Sequence, residues 1–144
     1  PYKIIAVMDE SVSDELYFAQ GPVVDLFDPR LPVLSQKTVA PGEEAFLYDL
    51  EEVYKNNQPK IIATAARASN ITWQENSFSF QCKSPENTMN SLRIFLPKAP
   101  KSIVLKNSEE ETITPKGSSW DANSRTYYLN FENSPEGIQV FFQL

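Results

Sequence analysis

The chain has 144 residues, of which 41% are apolar and 12% aromatic, enough for one ordinary domain or for one domain with a substantial extension. Its net charge of -6 is uneven: residues 1–58 hold 4 Lys and Arg against 11 Asp and Glu (-7), and residues 59–144 hold 9 against 8 (+1). The acidic first part argues against a nucleic-acid surface, and no apolar run approaches the ~18 residues of a membrane-spanning helix.

The first 58 residues contain signals for strands and for one short helix. Lys3–Met8 is an apolar run of β-favouring residues. Ser11–Gln20 has a candidate N-cap at Ser13, acids directly after it and Gly-Pro beyond it, which together predict a helix. Val23–Phe27 and Val33–Val39 are predicted strands, each bounded by proline.

Glu43–Lys55 allows two interpretations. Acids at its start and spaced apolar residues suit a helix, whereas the Pro-Gly turn before Ala45–Leu50 suits a strand. We favour the strand, with Glu51–Asn57 as a loop or a single helical turn. The alternative places the helices Ser13–Gln20 and Glu43–Lys55, with three strands, in a small α/β layer.

The segment Asn56–Pro59 is polar and turn-prone and marks the best internal boundary, because the charge balance changes there. After it, apolar residues alternate with polar ones, the period of half-buried strands. The predicted strands are Ile61–Ala68, Ser77–Lys83, Ser91–Leu96, Ile103–Leu105, Thr112–Thr114, Thr126–Phe131 and Ile138–Leu144.

Short strands with regular Pro, Gly and Asn punctuation indicate a mainly β protein, an antiparallel β-sandwich of immunoglobulin-like or similar type. Residues 59–144 are predicted to form this sandwich. Residues 1–58 are predicted to be an acidic part, either edge strands plus a short helix or a small separate layer with α/β or helical character.

Histidine is absent, which removes the commonest general base and the commonest transition-metal ligand. The single cysteine, Cys82, cannot form an internal disulfide, and its place in the Phe-x-Phe-x-Cys alternation predicts a small buried apolar residue. No phosphate loop or nucleophile elbow is present. We therefore predict no catalytic residue, metal or cofactor.

Paired carboxylates are the remaining route to hydrolysis, because a glycosidase needs two of them across a cleft. These acids flank turns, where Asp commonly caps the backbone, so a structural role is favoured. The candidate pairs are Asp9 with Glu10, Asp25 with Asp28, and Asp49 with Glu51.

Aromatic residues supply the candidate binding sites. Trp73 and Trp120 stand among polar residues, and Tyr128 alternates with residues of the inferred core face, so these three are candidates for stacking against sugar rings. Phe95 and Phe141 are also off the inferred core face and are candidates for burial against a neighbouring domain. Packing under loops remains an alternative for all five.

Three sets of segments carry a resemblance to a known family: Val39–Leu50, Arg93–Pro97 with Pro100–Val104, and Trp120 with Tyr128–Phe131 and Ser134–Val140. They resemble the non-catalytic C-terminal β-sandwich modules of bacterial glycoside hydrolases and polysaccharide-utilisation proteins of the Bacteroidetes type. The resemblance implies a secreted, periplasmic or cell-surface accessory domain beside a catalytic one, and it transfers no catalytic residue.

Three functions follow as hypotheses. The leading one is a non-enzymatic module that packs against a neighbouring catalytic domain through exposed aromatic residues. The second is a carbohydrate-binding module with a polysaccharide partner, and the third is a carboxylate-based hydrolase. Because no charged and apolar leader is seen, we expect the sequence to be an excised module or a mature fragment.

Overall fold

The computed structural model describes residues 1–9 and 14–144. Within them the chain forms thirteen strands and one short helix. In chain order the elements are β1 (Tyr2–Ala6), β2 (Tyr17–Asp25), β3 (Val33–Val39), β4 (Glu44–Asp49), α1 (Glu51–Asn56), β5 (Lys60–Thr64), β6 (Arg67–Gln74), β7 (Ser77–Lys83), β8 (Met89–Phe95), β9 (Ser102–Lys106), β10 (Thr112–Ile113), β11 (Gly117–Asp121), β12 (Thr126–Glu132) and β13 (Ile138–Gln143).

The chain divides into two compact units, which we call unit 1 (Pro1–Asn56) and unit 2 (Asn57–Leu144). Unit 1 is a four-stranded antiparallel sheet in the order β1-β4-β2-β3, followed by α1. Its small core contains buried aliphatic side chains from three strands: Ala19, Val23, Val39, Ala45 and Leu47.

Unit 2 has two antiparallel sheets, β10-β9-β13-β7-β6 and β11-β12-β8-β5. Both sheets contribute buried side chains to one core, which is the arrangement of a β-sandwich and confirms the predicted fold class. Phe142 of the first sheet meets Tyr127 of the second edge-to-face, with ring centroids 5.2 Å apart. The alternation predicted for β7, β12 and β13 is confirmed, since the residues predicted to face the core are buried.

The predicted helix over Ser11–Gln20 is wrong where the structure describes it. The candidate cap Ser13 lies outside the described residues, and from Tyr17 the chain is extended as β2, paired with β3. Cross-strand pairing outweighs the local capping signals here. The expected stop at Gly21 lies inside the strand at a β-bulge, where a Cβ would collide with the carbonyl oxygen of Leu34, so glycine is required.

The interpretation of Glu43–Lys55 as a strand and a helical turn is confirmed by β4 and α1. The α/β alternative is wrong, because the sheet of unit 1 is antiparallel throughout and β5 belongs to a sheet of unit 2. In unit 2 the predicted strand Ile61–Ala68 is two strands, β5 and the start of β6, which belong to different sheets.

Candidate functional site

The three aromatic residues predicted to stack on sugars lie in different parts of unit 2. Trp73 is on β6 and Trp120 on β11, which are edge strands of different sheets. These edges lie on opposite sides of the sandwich, because β6 follows β5 after two residues and β11 follows β10 after three. Tyr128 points away from the core that its neighbour Tyr127 enters. The structure therefore does not bring the three together.

Only Trp73 of these three is well exposed. Trp120 packs against the core of unit 2. The ring of Tyr128 is partly covered, because the guanidinium of Arg93 lies 5.2 Å from its centroid. Arg93 is itself buried and donates to Thr126 Oγ1 at 3.5 Å, and burial lowers its pKa. A ring already stacked against a cation offers a sugar less area for stacking.

The two residues predicted to lie at a domain interface differ in exposure. Phe141 is exposed, on the face of β13 away from the core. The expectation that Phe95 is exposed is wrong: its side chain is 0% exposed, and the Arg125 guanidinium lies 5.0 Å from its ring centroid. The cause is that β8 is buried on both faces near its carboxyl end, so alternation along the strand does not separate exposed from buried residues.

Three of the candidate carboxylates, Asp25, Asp28 and Asp49, are held by cations and backbone groups. Asp49 contacts Lys3 Nζ at 2.9 Å and accepts from the Glu51 N–H at 3.0 Å; burial raises its pKa, but these partners outweigh that and hold it below its usual value. Of the first pair, Glu10 lies outside the described residues. A general acid in a glycosidase needs a raised pKa, and every carboxyl pKa shift resolved in the described residues is downward.

Cys82 is buried in the core of unit 2, as the alternation along β7 predicts. Burial raises the pKa of its thiol to about 11. Its thiolate fraction at neutral pH is therefore small, so Cys82 is poorly suited to act as a nucleophile and serves to pack the core.

An open depression of about 600 Å³ lies in unit 1 at the turn that joins β2 to β3. Asp28 and Arg30 form a two-pronged ion pair there, with Arg30 Nε donating to Oδ1 at 3.1 Å and Nη2 to Oδ2 at 2.8 Å. Lys37 Nζ donates to the buried Asp25 at 2.8 Å. The depression is lined by Asp25, Phe27, Asp28, Pro29, Arg30 and Lys37.

Beside this depression runs an apolar cluster that we call the aromatic face: the exposed Tyr2, Ile4 and Phe27 with the half-buried Phe46. Ile4 is 81% exposed, Phe27 61% and Tyr2 57%. The Tyr2 and Phe46 rings stack with centroids 5.6 Å apart, and Phe27 continues the row 6.0 Å from Phe46. The pairing of β1 with β4 creates the cluster, because it sets Ile4 opposite Phe46 and Tyr2 opposite Tyr48.

Sequence reasoning missed this face. The alternation of Tyr2 with Ile4 and of Phe46 with Tyr48 was available as a signal. The residues are more than forty positions apart, however, and only the strand register places them on one surface. Of the eleven large apolar side chains exposed in the described part of the chain, seven lie in unit 1.

We predict that Asp28 titrates well below an ordinary aspartate. Hydrogen bonds from the Arg30 side chain and then from its backbone N–H hold the pKa of Asp28 at about 2, against an ordinary value of 3.8. Because the pKa is lowered on folding, the pairing stabilises the fold fully above the ordinary value, and the stabilisation is lost as pH falls through about 2.

Carboxyl carbon NMR measured against pH tests this prediction. Arg30→Ala should return the midpoint of Asp28 toward 3.8. Arg67 is an exposed arginine of unit 2, and Arg67→Ala should leave the Asp28 midpoint unchanged. A wild-type midpoint at the ordinary value would show that the ion pair does not persist in solution.

In residues 1–9 and 14–144 no group of three or more Cys, Asp or Glu side chains is placed to hold a metal ion. Over the same residues, no helix has both the length and the apolar character needed to cross a membrane. No protein-family model matches the sequence, and comparisons with curated proteins and with solved structures found no match either.

Proposed function

We propose that the chain is a non-catalytic β interaction module, and that it packs against the catalytic domain of a secreted, periplasmic or cell-surface carbohydrate-active protein. The observation that carries the proposal is the aromatic face of unit 1. Apolar side chains exposed as a contiguous group, rather than singly, are the usual mark of a contact surface. Tyr and Phe are enriched in such surfaces because they bury a large area with few rotatable bonds.

The chemistry of the partner follows from the charge of unit 1. Its 4 cationic and 11 acidic side chains give -7, whereas unit 2 carries +1. A partner surface with an apolar centre and a basic rim complements this pattern and would be steered toward it. Full burial of Ile4 or Phe27 would contribute about 1.5–3 kcal/mol each.

The ion pairs of the carboxylates and the burial of the thiol support a non-catalytic role. Two of the candidate carboxylates, Asp49 and Asp28, are ion-paired with Lys3 and Arg30. The thiol of Cys82 is buried. The resemblance to accessory modules of glycoside hydrolases supplies the carbohydrate-active setting of the proposal, and this setting is separable from the docking itself.

Hydroxyl-radical footprinting tests the docking. The rates of modification of Tyr2, Ile4 and Phe27 are compared between the isolated 144-residue chain and the natural full-length polypeptide. We expect several-fold slower modification of these three in the full-length polypeptide, with Trp73 unchanged.

Phe141 provides the contrasting outcome, because it is the predicted interface residue that stays exposed in unit 2. Protection of Phe141 with Tyr2 and Ile4 still reactive would place the contact on unit 2 and contradict the proposal. Equal rates at every residue in the two forms would contradict it as well.

A further inference from the structure

The depression at the β2–β3 turn combines four charged side chains with two apolar ones, and its charges are balanced. Two carboxylates, Asp25 and Asp28, face two cations, Lys37 and Arg30, so the four groups sum to zero. The depression has a volume of about 600 Å³ and is widely open to solvent. Its open shape suits a ligand that leaves part of its surface in water.

The polar groups of the depression are already paired with one another, and the best-buried of them is Asp25. Asp25 is nine-tenths buried, and its two oxygens accept from Lys37 Nζ at 2.8 Å and from the Phe27 N–H at 3.0 Å. The Asp28 carboxylate is held by the side chain and the backbone N–H of Arg30. Groups held in this way lose little conformational freedom when a ligand binds, which favours affinity.

The pairing of the charges selects the class of ligand. A ligand with a net charge would have to compete with an ion pair that is already formed, since each carboxylate has its own cation. A neutral ligand rich in hydroxyl groups meets no such competition. Each hydroxyl can donate to a carboxylate lone pair and accept from a cation's N–H, so it extends the existing pairs.

An apolar wall stands next to these polar groups. The Phe27 ring is well exposed at the edge of the depression, and Pro29 is exposed beside it. A pyranose ring combines the two properties that this arrangement fits: a face of C–H groups that packs on an aromatic ring, and adjacent hydroxyls at its rim.

We propose that this depression binds a neutral pyranose saccharide, with Phe27 packed against one face of a sugar ring and the pairs Asp28–Arg30 and Asp25–Lys37 bonded to its hydroxyls. The proposal uses neither Tyr2 nor Ile4, but it shares Phe27 with the aromatic face, so one Phe27 ring cannot serve the sugar and a docked domain at the same time. The sugar site is therefore tested in the isolated chain, where Phe27 is exposed. It also differs from a platform of Trp73, Trp120 and Tyr128, which the fold separates.

The test is a titration of the isolated, uniformly nitrogen-labelled chain, followed by amide NMR, with cellohexaose, mannohexaose and xylohexaose as neutral probes. The charged probe is the hexamer of galacturonic acid. We expect a neutral hexasaccharide to shift the amides of residues 25–30 and 37, with a dissociation constant on the order of 1 mM for so open a site. Titration with the matching monosaccharide shows whether one ring suffices or a chain is needed.

Three variants locate the binding. Phe27→Ala and Arg30→Ala are expected to weaken it about three- to tenfold, and both side chains are exposed enough for the fold to tolerate the change. The Trp73→Ala variant, which removes an exposed aromatic side chain of unit 2, is expected to bind as the wild type does.

Three results would overturn the proposal. They are no amide shift with any of the neutral hexasaccharides, shifts centred elsewhere, such as around Trp73, and tighter binding of the galacturonate hexamer than of every neutral probe. Because the titration uses the isolated chain, its outcome is independent of whether the aromatic face docks on another domain.

Discussion

Replacing Phe142 with alanine is expected to lower the free energy of unfolding of unit 2 by about 3–5 kcal/mol, the cost of deleting a buried aromatic ring. Phe142 is fully buried, lies edge-to-face with Tyr127 of the facing sheet and stacks 6.5 Å from Phe80 of its own sheet. Its removal therefore leaves a cavity between the two layers of the sandwich, bordered by other rings that cannot close it without leaving their packed positions.

Urea denaturation followed by tryptophan fluorescence measures this loss, because both tryptophans, Trp73 and Trp120, belong to unit 2. The matched control is Phe141→Ala, one residue earlier on the same strand but exposed. We expect the control to cost under about 1 kcal/mol. Equal losses for the two variants would mean that the sandwich core is not where the structure puts it.

Asn90→Ala is expected to cost about 1–2 kcal/mol, the loss of two buried hydrogen bonds, although it removes only a small polar side chain. Asn90 is fully buried, and its Oδ1 accepts from the Ala65 N–H at 3.0 Å and from Thr64 Oγ1 at 3.1 Å. These donors lie at the two-residue connection between β5 and β6, where the chain passes from one sheet to the other. Without the amide oxygen, the Ala65 N–H keeps only its longer bond to the Ser91 carbonyl, at 3.3 Å, and Thr64 Oγ1 loses one partner.

The same denaturation experiment measures the effect, with Asn123→Ala as the control. Asn123 is an exposed asparagine in the turn before β12, so its replacement should change stability by no more than about 0.5 kcal/mol. Should Asn90→Ala be as stable as this control, the corner would not depend on the asparagine for its hydrogen bonds.

Alternation was enough to predict the strands that build the core of unit 2. Phe78, Phe80 and Cys82 on β7 are buried as their period of two requires. Alternation predicts burial correctly on β7 because one face of its sheet packs in the core and the other face does not. It gave the wrong result for Phe95, since β8 is buried on both faces at that end.

Local signals failed where long-range pairing decides the structure. The capping residues before Tyr17 predict a helix, yet Tyr17 pairs with Val39 and the segment is a strand. The strand β6 was missed beyond Ala68 because it is an edge strand whose burial pattern is nearly all exposed, so no alternation marks it.

The candidate site likewise combines a local signal with contacts that depend on long-range strand pairing. The ion pair of Asp28 with Arg30 joins residues two positions apart and lies in a turn that the prolines predict. The approach of Lys37 to Asp25, and of Phe27 to Phe46, depends on the pairing of β2 with β3 and β4. That register cannot be derived from composition or spacing in a single sequence.

The most direct test of the proposed docking is a binding titration in which the isolated chain is added to the separately expressed neighbouring domain of the natural polypeptide. We expect wild-type binding with a dissociation constant on the order of 1 μM, as befits a contact between domains of one chain. Ile4→Asp puts a charge at the most exposed residue of the aromatic face and should weaken binding at least about tenfold. Ile71→Asp, at an exposed isoleucine of unit 2, should bind as the wild type does; no loss with Ile4→Asp, or an equal loss with Ile71→Asp, would contradict docking through unit 1.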